Sequence, residues 1–172
     1  GDIGVGFPGV VKHGEVLSAA NLSDAWIGMN VIQGIETMTA GEVAAMNDAD
    51  AAGIAEMAFG SGRERNTEGG GVVMMITLGT GIGTAMFVDG TLVPNLEFGH
   101  VEMNGKIAEH RASAGVRKAE DLSWNKWSKR LNAYLQYMER LCNPDLFILG
   151  GGVSKHADKY IHNLHTRAEI VT

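Results

Sequence analysis

Hydrophobic positions along the chain fall into short runs of two kinds. "IGVGF" (residues 3–7) alternates too little for a surface strand and suits a buried one, and Pro8-Gly9 ends it. "VVKHGEVLSA" reads as two short strands turning at His13-Gly14. "GEVAAMN" fits either strand or helix. "DADAAGIAEMAFG" is alanine-rich, with Ile54, Met57 and Ala58 at helical spacing, and predicts a helix capped by Asp48 or Asp50 and closed at Gly60. "GGVVMMITLGTGIGTAMFVDGTLVP" holds two strand runs around a glycine turn, and Asp89-Gly90 turns the chain again into "TLV". "LSWNKWSKRLNAYLQYMERLCNP" is the clearest helix. Leu131, Leu135, Met138 and Leu141 form its apolar stripe, Lys and Arg occupy the other face, and Pro144 stops it. "DLFILGGGVSKHADKYIHNL" reads as strand, glycine turn and helix, and "EIV" near the end as the entry to another strand. That order predicts an α/β or α+β arrangement with a mixed sheet.

Composition narrows the classes. With 45% hydrophobic residues the chain can bury a core. A net charge of -6 argues against a general nucleic-acid binder, while leaving room for a local basic groove that takes a polyanion. The one cysteine, Cys142, allows no internal disulfide and no cysteine metal cage, which fits a reducing, cytoplasmic setting. The apolar runs are too short to cross a bilayer, so no membrane partner is expected. The chain opens directly on a strand pattern without Met and stops at "HTRAEIVT", which reads as an internal piece of a longer protein.

Several short constellations could carry chemistry. "TLGTGIGT" places Gly79, Gly81 and Gly83 between Thr77, Thr80 and Thr84, so backbone N–H groups and hydroxyls could meet a phosphate, or the stretch could be a plain hairpin turn. It lacks the Lys-Ser/Thr ending of a Walker loop. "FILGGGVS" offers Gly150, Gly151 and Gly152 at a strand end, either to line a crevice or to allow close strand packing. In "MNDADAAG", Asp48 is either a helix cap or a general base for a substrate hydroxyl. Glu97, His100, Glu109 and His110 form an acid–imidazole cluster that is a metal site, a set of solvated loop charges or a polyol site. Trp124 and Trp127 read as core or interface. Arg63, Arg65, Arg111, Arg117 and Lys118 read as solvated.

The order of these motifs resembles a known family. "GVGFPGVV", "NDADAAG", "TLGTGIG", "EFGH" and "ILGGG" follow the layout of the ROK sugar kinases (repressor, open reading frame, kinase). "AANLSDAWIG", "PNLEFGHVEMNGKIAEHRA" and "PDLFILGGGVSKHADK" resemble the actinobacterial, polyphosphate-dependent glucokinase branch. The resemblance implies an actin-like (ribonuclease-H-like) α/β fold of two domains. Residues 1–47 would be the remainder of the N-terminal domain and 48–172 a C-terminal domain truncated at its end. It implies transfer of a phosphoryl group from inorganic polyphosphate, or ATP, with Mg²⁺, to the 6-hydroxyl of glucose. Asp48 would be the catalytic base. Phe7, Pro8, Gly9, Asn21, Asn47, Glu97, His100 and Glu109 would approach the sugar. Thr77, Gly79, Thr80, Gly81 and Gly83 would hold phosphate, and Gly150, Gly151 and Gly152 would face the nucleotide or polyphosphate. A homodimer is implied for the full-length protein.

Two departures matter. The cysteine-rich zinc motif common in the family is missing from "VEMNGKIAEHRASAG", as in the polyphosphate branch, so no zinc is expected. The Asp-x-Gly-Gly-Thr phosphate hairpin near the family's N-terminus is also missing, and "GDIG" does not replace it. The corresponding expectation for the 172-residue chain alone is partial folding, weak sugar binding and no turnover. The alternatives are an ATP-dependent glucokinase or glucomannokinase, and a non-catalytic sugar-binding regulator.

Overall fold

The computed structural model describes residues 1–19 and 22–172. Asn21, implied above as a sugar contact, lies outside the described residues. The chain begins with β1 (Ile3–Phe7), then the hairpin strands β2 (Val11–Lys12) and β3 (Glu15–Val16). His13 (φ 54°) and Gly14 (φ 83°) form the turn between them, the pair of left-handed residues a two-residue hairpin needs. A short helix α1 (Val31–Glu36) leads to β4 (Val43–Asn47), which pairs with β1 in parallel, Phe7 opposite Asn47. Phe7, Val11, Val16 and Val31 share a small core here. β1 is a strand, as its pattern predicts, but only Phe7 in it is fully buried. A two-stranded sheet covers too little of its faces to bury the rest.

α2 (Asp48–Phe59) follows β4 without a loop. Its cap is Asn47, whose Oδ1 accepts from the amides of Ala49 (2.8 Å) and Asp50 (3.1 Å). The expected caps, Asp48 and Asp50, are therefore free for other work. Of the expected apolar stripe, Met57 is buried while Ile54 is 39% exposed. The small residues Ala49 and Gly53 are buried in its place, letting α2 sit close to the sheet.

β5 (Val72–Leu78), β6 (Ile82–Val88) and β7 (Thr91–Val93) form an antiparallel meander, turned at Asp89 (φ 49°) and Gly90 (φ 76°). Two minor strands, β8 (Glu102–Met103) and β9 (Lys106–Ile107), precede α3 (Glu109–Ala112) and α4 (Ala114–Ala119). The long helix α5 (Trp124–Cys142) ends at Asn143 (φ 45°), just before Pro144. β10 (Leu146–Gly150) and β11 (Glu169–Val171) then join β5 in parallel. The resulting sheet is mixed, in the order β11-β10-β5-β6-β7.

The pleat of that sheet separates two cores. Val73, Met75, Ala85, Phe87, Leu146 and Ile148 meet Met57 of α2 on one face. Met74, Ile76, Leu78, Phe147 and Leu149 meet Trp127, Leu131, Leu135 and Met138 of α5 on the other. The stripe of α5 turns through Tyr134 and not Leu141, which is 54% exposed. After β10 no α-helix forms. Residues 154–159 and 161–163 are 3₁₀ turns, broken at His156 (φ -120°, ψ 25°). Tyr160 leaves helical geometry (φ -141°) and buries its ring edge-on to Trp127, 5.1 Å between centroids. Tertiary packing there overrides an amphipathic helical spacing.

Candidate active site

β4 passes straight into α2, so Asn47 and Asp48 sit at a strand end, the position that faces the crevice in open α/β sheets. The capping bonds fix the Asn47 side chain, and its Nδ2 still donates to the Gly9 carbonyl (3.1 Å) and reaches Glu97 Oε1 (3.5 Å). Asp48 is exposed, whereas Asp50, two residues on, is 1% exposed. One oxygen of Asp50 accepts from the Asn95 amide (2.8 Å), and the other is buried with no partner among the described residues. Asn95, in left-handed backbone (φ 61°), reaches across to β2. Its Oδ1 accepts from Val11 N (3.1 Å) and its Nδ2 donates to Val11 O (3.1 Å), as a strand partner would.

The segment after Asn95 is held just as firmly. The Thr84 hydroxyl donates to Leu96 O (2.6 Å) and accepts from Phe98 N (3.1 Å), so Glu97 is clamped between two anchored neighbours. A single 3₁₀ turn (Phe98–His100) then presents His100 between two carboxylates. Its Nδ1 lies 3.7 Å from Glu97 Oε2 and its Nε2 3.7 Å from Glu109 Oε1. Glu109, at the start of α3, also accepts from Ile82 N (3.3 Å). A Cβ at Gly81 would displace that Glu109 carboxylate from its place beside the Ile82 amide. Gly79, by contrast, faces open space, and its carbonyl is pinned by the Gly115 amide (2.9 Å).

These residues line one cleft of about 390 Å³. It gathers Pro8 and Gly9, Asn47 and Asp48, Glu97, His100 and Glu109, together with Thr77, Gly79, Thr80, Gly81 and Gly83. Gly151 reaches it as well, while Phe7 is buried and packs on Trp26, ring centroids 5.6 Å apart. Gly150 does not line this cleft; a Cβ on it would stand 2.8 Å from Met75 Cε, which marks close packing. Thr84, at the end of the threonine–glycine stretch, lines the cleft too, and so do Ile82 and Leu96, two apolar residues that carried no chemical signal in the sequence.

The cleft is acidic on one side. Loss of hydration raises the Glu97 carboxyl above its ordinary value; His100 pulls it down, and Asp48, Glu109 and Asp50 push it further up. Burial likewise raises Asp50, opposed by the Asn95 amide and reinforced by Asp48. Among the described residues no group of three or more His, Cys, Asp or Glu side chains is arranged to hold a metal ion. Hydroxyl-bearing ligands suit such a wall of carboxylates, imidazole and amide.

A second cavity, of about 410 Å³, shares the Gly79–Thr80 wall with the first. It is lined by Arg117 and Lys118 of α4, Trp124 of α5, Gly152 and His156, and among the described residues no carboxylate lines it. Arg117 is not the solvated residue its sequence context suggests. Its guanidinium lies over the Trp124 ring, 4.0 Å from the centroid, and its Nη1 donates to Leu122 O (3.3 Å).

Residues 1–114 match the ROK family. The chain belongs to the ROK family. It is 45% identical to the polyphosphate glucokinase of Mycobacterium tuberculosis (strain CDC 1551 / Oshkosh) over 172 residues, 99% of this chain and 63% of that protein. It superimposes on the inorganic polyphosphate/ATP-glucomannokinase of Arthrobacter sp. strain KM with a TM-score of 0.93 at 46% identity, covering 99% of this chain and 66% of that one. The ROK family glucokinase of Streptomyces griseus, solved with glucose and AMPPNP, matches in fold alone, with a TM-score of 0.80 at 22% identity over 98% of this chain and 75% of that one. The α/β, actin-like class expected from the motifs is therefore the class of this chain. This ROK chain spans about two thirds of the length of the relatives it matches.

Proposed function

We propose that this ROK chain carries the sugar-holding wall and part of the donor wall of a kinase that moves a phosphoryl group from inorganic polyphosphate, or ATP, to the 6-hydroxyl of glucose. The observation that carries this reading is the convergence of Asn47, Asp48, Glu97, His100 and Glu109 with the Gly79–Gly83 loop on one cleft. Similarity to polyphosphate glucokinases over nearly the whole chain supports it.

In this reading Asn47, Glu97, His100 and Glu109 hold the ring hydroxyls. The capping bonds of Asn47, the anchored neighbours of Glu97 and the Ile82 amide on Glu109 hold this wall in place before sugar arrives, which lowers the ordering cost of binding. Asp48 accepts the proton of the 6-hydroxyl as that oxygen bonds to the terminal phosphorus and the bridging P–O bond of the donor breaks. The shortened donor leaves with the electron pair of that bond. Asp48 is suited to this because Asn47 takes over the capping, leaving its carboxylate exposed in the cleft. Ala49 lies 2.9 Å from where a Cβ on Gly83 would stand, so the first turn of α2 abuts the strand that leaves the glycine loop. Mg²⁺ would offset donor charge. It needs only one or two protein oxygens beside the phosphates, and Asp48, Thr77 and Thr80 supply oxygens on that side of the cleft.

The test is Asp48→Asn in the protein at the length of its relatives. Glucose phosphorylation, followed with polyphosphate and with ATP side by side, should fall by about 10²–10⁴ in kcat with both donors. A parent-like rate would remove Asp48 from the reaction. The 172-residue chain itself should bind glucose by calorimetry with little turnover.

A further inference from the structure

The acidic cleft accounts for the sugar side, but not for the cation-lined cavity beside it. In a chain of net charge -6, that cavity is walled by Arg117, Lys118 and His156 without one carboxylate. Arg117 in particular is poorly served. Among the described residues it has no ion-pair partner, its Nε is buried without a hydrogen bond, and its one acceptor is the Leu122 carbonyl. A guanidinium offers five donors in a planar fork. The site therefore holds unspent positive charge and unspent donors directly beyond Thr80.

Trp124 is the other half of the arrangement. It would be the natural stacking surface for a nucleobase in this cavity. Its ring, however, lies under the Arg117 guanidinium and is flanked by Tyr160, stacked at 5.9 Å with an interplanar angle of 17°, and by His156 at 5.6 Å. A base could stack over Trp124 only by displacing Arg117 and its cation–π contact. An inorganic polyphosphate chain needs no stacking surface. It needs charge and hydrogen-bond donors leading away from the reacting phosphate; Arg117 and Lys118 supply the charge, and the Thr80 hydroxyl and His156 imidazole line the same cavity.

We propose that Arg117, laid over Trp124 on the wall of the second cavity, is a donor-selecting residue that binds the polyphosphate chain and denies the Trp124 ring to a nucleoside base. The inference rests on the kinase reading above and goes beyond it in naming what sets donor preference.

The test is titration of the chain with sodium polyphosphate, with ATP and with glucose, each with Mg²⁺ at constant ionic strength, followed by calorimetry and tryptophan emission. Arg117→Met keeps the apolar stem against Trp124 and removes the charge. It should lower polyphosphate affinity about tenfold or more, the scale of one lost charge-assisted hydrogen bond. ATP affinity should hold or rise, and glucose affinity should stay within about twofold. Arg117→Lys, which keeps the charge, should restore most of the polyphosphate affinity. Equal losses of polyphosphate and ATP affinity, or a polyphosphate affinity within about twofold of the parent, would overturn the proposal. So would failure of Arg117→Lys to restore binding in a chain whose circular dichroism matches the parent. If the parent binds glucose but neither donor, the donor assignment of this cavity falls; if it does not bind glucose either, the kinase reading itself falls.

Discussion

Asp50 stands in the chain as one more acidic residue of "NDADAAG", yet folding takes it out of water and leaves one of its oxygens without a partner among the described residues. Its carboxyl is raised from 3.8, and that of Glu97 from 4.5, chiefly by loss of hydration. The sign of the consequence follows from proton counting. Just above these ordinary values the folded chain holds more protons than the unfolded one, so stability declines as pH rises through that window. Asp50→Asn keeps an oxygen for the Asn95 amide and cannot ionise. Urea midpoints measured from about pH 4 upward should therefore decline less steeply in Asp50→Asn than in the parent; equal slopes would show that another group is responsible. Asp50→Ala, which abandons the Asn95 amide, should cost about 1–2 kcal/mol at all pH values. The residue types of the acid–imidazole wall were legible in "NLEFGH" and "NDAD". Which residue caps α2 and which is left free was not, because a cap depends on where β4 yields to α2, and propensity leaves "GEVAAMN" open between strand and helix.

Among the elements, the β5–β6 turn was marked by its glycines, and the two-residue turns at His13-Gly14 and Asp89-Gly90 could be read from sequence because their cause is local, a pair of left-handed residues between strand runs. The seating of α2 on β6 could not, since it depends on what is missing from Gly53. A Cβ there would stand 2.8 Å from Ala85 Cβ and 2.9 Å from Phe87 Cε2. Gly53→Ala would gain helix propensity, worth up to about 1 kcal/mol, and lose more by overpacking, about 1–3 kcal/mol. Net destabilisation in thermal melts is the expected result, with glucose affinity reduced because α2 carries Asp48 at its first turn. A second close approach lies inside the acid–imidazole cluster. A Cβ at Gly99 would collide with the Ile82 carbonyl, a backbone atom that cannot swing aside. Gly99→Ala should push the Phe98–His100 turn off β6, separate His100 from Glu109 and abolish glucose binding by calorimetry while the α5 side of the sheet keeps its fold. Sequence places a glycine between Glu97 and His100; only the packing gives the reason.

Across the whole molecule, residues 1–47 and 48–172 form the two parts we propose as domains, and their cores are distinct. Phe7, Val11, Val16 and Val31 cluster apart from the two cores of the five-stranded sheet. What ties them beside the cleft is largely polar. Asn95 exchanges two hydrogen bonds with Val11, and its own amide is fixed by Asp50. Asn47, at the boundary, holds Gly9 on one side and reaches Glu97 on the other. Apolar surface gives non-directional cohesion, whereas amide bonds set register. Asn95 therefore sets the spacing between the Pro8-Gly9 edge and Glu97, and with it the width of the cleft between them. Asn95→Ala would remove both bonds to Val11 and leave the β5–β6 core untouched. Hydrogen exchange should then speed up at Val11 and through the β2–β3 hairpin, by a factor of about ten for each 1.4 kcal/mol lost. Amides of β5, β10 and α5 should keep parent protection, and glucose should bind more weakly. Uniform acceleration across both parts would instead mean that the chain opens as one unit and that the boundary at Asn47 has no energetic meaning.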